Sequence, residues 1–138
     1  MQQLTQEILR LCREYGECRV EAERMEEARR VKNALESVCS MARQRLDISD
    51  PALLLALLDA CEVTRDEGML QEVLDVVGRN LDRLAVSVES VKLLACCYYY
   101  VEEEECAERA RRMLEELRKL GMGEEELADA ETILEELT

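Results

Sequence analysis

Seven cysteines, a run of four glutamates, three adjacent tyrosines and a spaced glycine pair are the residues here whose types and spacing could do chemistry. The thiols are Cys12, Cys18, Cys39, Cys61, Cys96, Cys97 and Cys106. A thiol attacks as the thiolate, so a catalytic cysteine needs surroundings that lower its pKa. Cys106 follows Glu102 to Glu105, and that acidic run raises it instead. Cys96 and Cys97 are neighbours, so on a helix they stand about 100° apart. A redox or soft-metal pair there competes with two hydrophobes in a buried helix, and free Cys packs as a small apolar residue. The thiol count is odd and no Cys-x-x-Cys occurs. The cysteines are therefore expected to fill a core in a reducing compartment.

The remaining candidates are weaker still. Histidine is absent, which removes the commonest general base, the helical zinc-protease pair and the carboxylate–histidine di-iron motif. Glu102 to Glu105 could gather a hard cation, but consecutive carboxylates diverge on a helix and no calcium-loop spacing surrounds them. A solvated face is the plainer reading. Gly121-x-Gly123 is followed by three acids, which repel phosphate, so it reads as a helix stop. Tyr98, Tyr99 and Tyr100 cannot all face one way. At least one should be part-exposed, and Tyr is favoured at interfaces. These three are the candidate partner-binding residues, against the alternative of a helix-end anchor. No catalytic, cofactor-binding or metal-binding residue is assigned, and no cofactor is expected.

The elements that must position these groups are helices. In 138 residues, Glu, Leu, Arg and Ala dominate, with one Pro and neither Phe nor Trp. One domain over residues 1–138 is expected, large enough to bury roughly two thirds of its unfolded surface without a disulfide or metal. The central element begins at Asp50-Pro51, a cap followed by the residue best suited to a first helical position. Leu53 to Leu58 are then apolar without a break, on every side of the helix. That stretch is far shorter than the about 20 residues needed to cross a bilayer. It should be the buried centre of the fold.

Around it the three-four rhythm marks further helices. Leu4, Ile8, Leu11 and Tyr15 share one face. Cys18, Ala22 and Met25 continue it past Gly16, before a phase shift to Ala28, Val31, Leu35, Val38, Ala42 and Leu46. Two helices meeting at Gly16 are favoured over one long helix with a slip. Residues 47–50 form a loop, the central helix runs to about Thr64, and Arg65 to Gly68 read as a turn. Met69, Leu70, Val73, Leu74, Val77, Leu81 and Leu84 give the next helix, in which Gly78 would allow close approach to a neighbour. A break is expected at 85–88, with Ser87 and Ser90 as candidate caps, and then a helix from about Ser87 to about Val101. The following helix buries Cys106, Ala110, Met113, Leu114, Leu117 and Leu120. The last one turns Leu127, Ala130, Ile133, Leu134 and Leu137 inward. The fold class is thus all-α: six or seven antiparallel helices, as a helical bundle or a short αα-repeat solenoid.

A weak repeat runs through this pattern. Leu54-Leu55-Ala56-Leu57-Leu58 aligns with Leu93-Leu94-Ala95-Cys96-Cys97, and Leu74 and Val77 align with Leu114 and Leu117. The stretch from Cys106 to Gly121 resembles the second helix and closing Gly of a tetratricopeptide or pentatricopeptide repeat, and Tyr15-Gly16-Glu17 resembles a tetratricopeptide turn. The resemblance covers about Pro51 to Thr138 and implies stacked αα-hairpins that bind a partner. It departs from those families at the boundary Pro missing after Gly121. It departs again at Val91, where pentatricopeptide RNA readers carry a polar residue. No peptide-end-clamping Lys/Asn set of the tetratricopeptide kind is recognised. The chain also resembles computationally designed helical proteins in its Glu-rich helices, Gly-stopped ends and missing residue types. The seven cysteines and Cys96-Cys97-Tyr98-Tyr99-Tyr100 are unlike such designs.

The net charge of −14 opposes binding to nucleic acid or an anionic membrane and favours a basic partner. The N-terminus shows neither signal peptide nor membrane span, so the cytoplasm is the expected location, or none if the chain is designed. The leading expectation is a non-catalytic helical scaffold or protein-interaction module, with protein or a second copy as partner. The alternative is a binding protein for a small apolar ligand held between helices, since Met and Cys adapt to irregular shapes. A thiol enzyme is the weakest reading.

Overall fold

The computed structural model describes residues 2–138. Seven α-helices and two short 3-10 turns account for the regular structure, and there is no strand among the described residues. The helices are α1 (Gln2–Cys18), α2 (Met25–Arg43), α3 (Pro51–Thr64), α4 (Glu67–Arg79), α5 (Val88–Val101), α6 (Glu104–Lys119) and α7 (Glu124–Leu137). The protein is all-α, and seven is the upper of the two expected helix numbers.

The chain forms two compact units, Met1–Val73 and Leu74–Thr138. In the first, α1 packs against both α2 and α3, and α2 touches α3. In the second, α5 packs against both α6 and α7, and α6 touches α7. Each unit is therefore a helical hairpin with a third helix laid against both of its arms.

In the first unit, α3 is built as its sequence requires. The Asp50 carboxylate accepts the Leu53 N–H at 3.2 Å, and Pro51 opens the helix where no donor is needed. Leu53, Leu54, Ala56, Leu57, Leu58, Ala60 and Cys61 are all buried, while Leu55 is half-buried. Ile8 and Leu11 of α1, Ala28, Leu35, Cys39 and Ala42 of α2, and Met69 and Val73 of α4 are buried in the same unit. The helices do separate between α1 and α2, but not at Gly16. That Gly lies inside α1, which continues to Cys18 because a single Gly costs a helix only about 1 kcal/mol. Cys18 is buried, but Ala22 and Met25 are exposed, so the apolar rhythm does not mark a core face beyond the end of α1.

The turn after α3 is tighter than its residues suggest. Arg65, not Gly68, takes the left-handed conformation, at φ 58°. Asp66 then caps α4 by accepting the Met69 N–H at 3.0 Å, which places Glu67 and Gly68 in the helix.

The second unit holds further departures. The α-helix stops at Arg79, where the Asn80 side-chain amide donates to the Val76 carbonyl at 2.7 Å. Leu81 lies in a 3-10 turn and Leu84 is buried beyond it. Gly78 has open space where a Cβ would stand, so it serves no close approach. Gly78→Ala is expected to raise stability by about 0.5–1 kcal/mol, since Gly surrenders the most backbone freedom on folding. A higher urea midpoint would register the gain, and an unchanged or lower midpoint would contradict the open surroundings.

Ser87 caps α5 by accepting the Ser90 N–H at 3.1 Å, which produces the expected break. Glu102 ends α5 in the left-handed region at φ 53°, and Glu104 and Glu105 form the first turn of α6. Left-handed geometry strains a residue with a Cβ by about 1–2 kcal/mol. Glu102→Gly should therefore raise the thermal midpoint, and a lower midpoint would show that Glu102 earns its place through contacts. Gly121, at φ 95°, closes α6: its N–H donates to the Arg118 carbonyl and that of Met122 to the Leu117 carbonyl. This closing turn swings Leu120 outward, leaving it 79% exposed rather than buried. Leu127, Ala130 and Leu134 of α7 are buried, whereas Ile133 and Leu137 are only half-buried.

Candidate functional site

The thiols are held by their helices in apolar surroundings. Cys12 on α1 and Cys61 on α3 are each pushed up to about 12 by burial, and Cys39 on α2 to about 11. Nearby charge adds to burial: Asp59 and then Cys39 raise Cys12, Asp66 and then Cys39 and Cys12 raise Cys61, and Asp66 raises Cys39. In the second unit, burial pushes Cys97 up strongly, with Cys106 and Cys96 adding to the effect. Cys106 is raised first by burial and then by Glu103 and Glu105, the acids that precede and open α6. Such thiols hold their protons at neutral pH and are poor nucleophiles. Among the described residues, no group of three or more Cys, Asp or Glu is placed to hold a metal ion. Glu102 to Glu105 are all exposed at the junction of α5 and α6.

The tyrosines end α5. Tyr99 is 57% exposed, and its ring meets Tyr100 edge-on with centroids 5.2 Å apart. Tyr98 and Tyr100 are half-buried, and Val101 beside them is exposed. One tyrosine out of three is thus offered to solvent as a large contact surface.

A second place, not evident from the sequence, is a groove of about 400 Å³ along α1 and α2. Tyr15 and Arg19 line it from the end of α1. Met25, Ala28, Arg29, Lys32, Asn33 and Glu36 line it from α2, at successive three- and four-residue steps that place them on one face. The Arg19 guanidinium lies 5.8 Å from the centre of the Tyr15 ring. A smaller depression continues along the outer side of α2 past Glu26 and Arg30, sharing Arg29 and Asn33.

The cations of this groove differ from other arginines of the same unit. Arg10 is clasped by Glu7 and Glu14. Arg24 bonds Glu27 at 2.9 Å and reaches Glu21 at 3.7 Å, and the Glu27 carboxyl is held below its usual range chiefly by that hydrogen bond. Arg43 ties α2 to the start of α4 through Asp66, at 3.5 Å, and Glu72. By contrast, Arg19, Arg29 and Lys32 have no ion-pair partner among the described residues. Glu36 is the one carboxylate on the groove's wall. The exposed Met25 side chain, at 56%, and the half-buried Tyr15 add apolar surface beside the charges.

The arrangement can hold an anionic group between Arg29 and Lys32, bond a polar backbone through the Asn33 amide, and cover an apolar side chain with Met25 and Tyr15. The visible signal was the cluster Arg29-Arg30-Val31-Lys32-Asn33 in an otherwise acidic chain. The core stripe of α2, running beside it through Ala28 and Leu35, dominates the periodicity and masks this signal. No helix among the described residues is long and apolar enough to cross a membrane. No protein-family model, curated protein or solved structure matches this chain.

Proposed function

We propose that the protein is a non-catalytic helical interaction module that binds its partner along α1 and α2. The observation carrying this reading is the groove whose Arg19, Arg29 and Lys32 lack ion-pair partners among the described residues, whereas Arg10, Arg24 and Arg43 of the same unit are clasped. Cations without ion-pair partners beside an amide, an exposed Met and a half-buried Tyr are an interface composition. The buried, proton-retaining thiols support a role without nucleophilic chemistry. Within each unit, a hairpin overlaid by the next helix is also the packing unit of tetratricopeptide-like repeats, which supports the repeat form of the module. Glu-rich helices and the Gly121 stop fit a designed origin as well, and the binding surface is the same under either history. The charged lining favours this reading over storage of a small apolar ligand.

A photo-crosslinking side chain at position 33 tests the proposal. A defined protein adduct is expected there, absent when the same group is placed at position 116, and re-formed with the purified partner. Equal adducts at both positions, or turnover of a substrate by the purified protein, would reject it.

A further inference from the structure

We infer that the groove along α1 and α2 receives an acidic linear peptide carrying an apolar side chain beside its carboxylates. The inference rests on the interaction reading above and names the class of partner. Charge complementarity supplies the argument. The chain as a whole carries −14, which favours a basic partner at long range. At the groove the local sign is reversed: Arg19, Arg29 and Lys32 face one carboxylate, Glu36. Beyond a Debye length, about 8 Å at physiological salt, distant charges are screened, so contact-range cations decide what settles there.

The lining distinguishes a peptide from a bare anion. Arg29 and Lys32 are separated by about one helical turn, so together they can meet the carboxylates of an extended chain. The Asn33 amide both donates and accepts, which matches a peptide backbone and is wasted on a phosphate. Met25 and Tyr15 offer a polarizable, partly apolar floor for one aliphatic or aromatic side chain. The groove volume of about 400 Å³ lies within the range of pockets that hold compact ligands, roughly 300–1,000 Å³.

Three labelled peptides of equal length test this on the full chain: Glu-rich with a central Leu, its Gln counterpart, and its Lys counterpart. The bound site is mapped by amide shifts in nuclear magnetic resonance spectra. The Glu peptide is expected to bind at α1 and α2 at least tenfold more tightly than the Gln peptide, with affinity falling as salt rises. Arg29→Glu with Lys32→Glu should abolish that preference, while Arg111→Glu with Arg112→Glu, an equal change of charge in the second unit, should leave most of it. Circular dichroism confirms that both variants fold. Should the reversed pair lose its fold, Arg29→Gln with Lys32→Gln replaces it and is expected to remove the preference. Binding of the Lys or Gln peptide in the groove as tightly as the Glu peptide overturns the inference but preserves the interaction module. Equal losses in both charge-reversed variants overturn it too, as does absence of any peptide binding. The crosslink at position 33 then judges the module separately.

Discussion

Leu57→Ala is expected to lower the unfolding free energy by about 2–5 kcal/mol, against a total of roughly 5–15 kcal/mol for a natural domain. Leu57 is wholly buried, as is Leu54 one turn earlier. Truncation there removes apolar contact and leaves a cavity whose walls relax only in part. Leu55→Ala provides the comparison, because Leu55 is half-buried on the same helix with the same composition around it. Its cost should be clearly smaller, since less of its surface leaves water on folding. Urea unfolding followed by circular dichroism measures both. Equal losses would mean that α3 has no preferred inner side, and a loss below about 1 kcal/mol at Leu57 would deny α3 its central place.

Alkali should unfold the protein well before its peptide backbone is harmed. The ordinary thiol value is 9.0, whereas Cys12 and Cys61 stand at about 12 and Cys39 at about 11 when folded. Burial raises each of these above its unfolded value. Their contribution to stability is therefore complete below about pH 9 and is lost as pH rises toward the folded values, because the unfolded chain releases its protons first. Each unit of difference amounts to about 1.4 kcal/mol. At about pH 10 the unfolded chain has released these protons while the folded thiols keep theirs, so the folded state loses part of its margin. The buried Cys97 adds to the loss in the second unit. Urea midpoints measured from neutral pH upward should fall steeply above about pH 9, with thiolate absorbance rising as the chain unfolds. Replacing Cys12, Cys39 and Cys61 by Ala should weaken the protein at neutral pH yet flatten that fall. An identical slope in the replaced protein would show that other groups drive it.

Acid acts in the opposite sense and more gently. Hydrogen bonds from Arg24 and Arg43 hold Glu27 and Glu72 below the usual carboxylate value of 4.5. Stability from these pairs is present above that value and lost as pH falls through the lowered ones. Both pairs are solvent-facing, so their contribution is small.

The helices were readable in the chain because each is specified locally. Asp50, Pro51 and Ser87 carry their capping function in their own side chains, and Gly121 takes a backbone shape that only Gly adopts freely. The burial of Leu53, Leu54, Leu57 and Leu58 was legible for a similar reason: apolar residues on every side leave no orientation that satisfies water. The ends at Cys18 and Arg79 were not legible. Propensity barely separates continuing a helix from stopping it, and neighbouring contacts settle a difference of about 1 kcal/mol. Leu120 shows the same limit, because the turn closing α6 carries it off the stripe its spacing implies.

The tyrosines illustrate how far spacing reaches. That Tyr98, Tyr99 and Tyr100 could not share one side followed from helical geometry, but that Tyr99 is the exposed one depended on where α6 and α7 lie against α5. Amino-acid order alone thus determined an all-helical chain, its strongest caps and its most apolar segment, since those depend on interactions within a few residues. Tertiary packing decided that Cys12, Cys39 and Cys61 approach one another from separate helices. It also decided that Tyr15 and Arg19 meet Arg29, Lys32 and Asn33 across a groove. Such encounters join residues remote in sequence, and their energies arise only once the helices have been placed side by side.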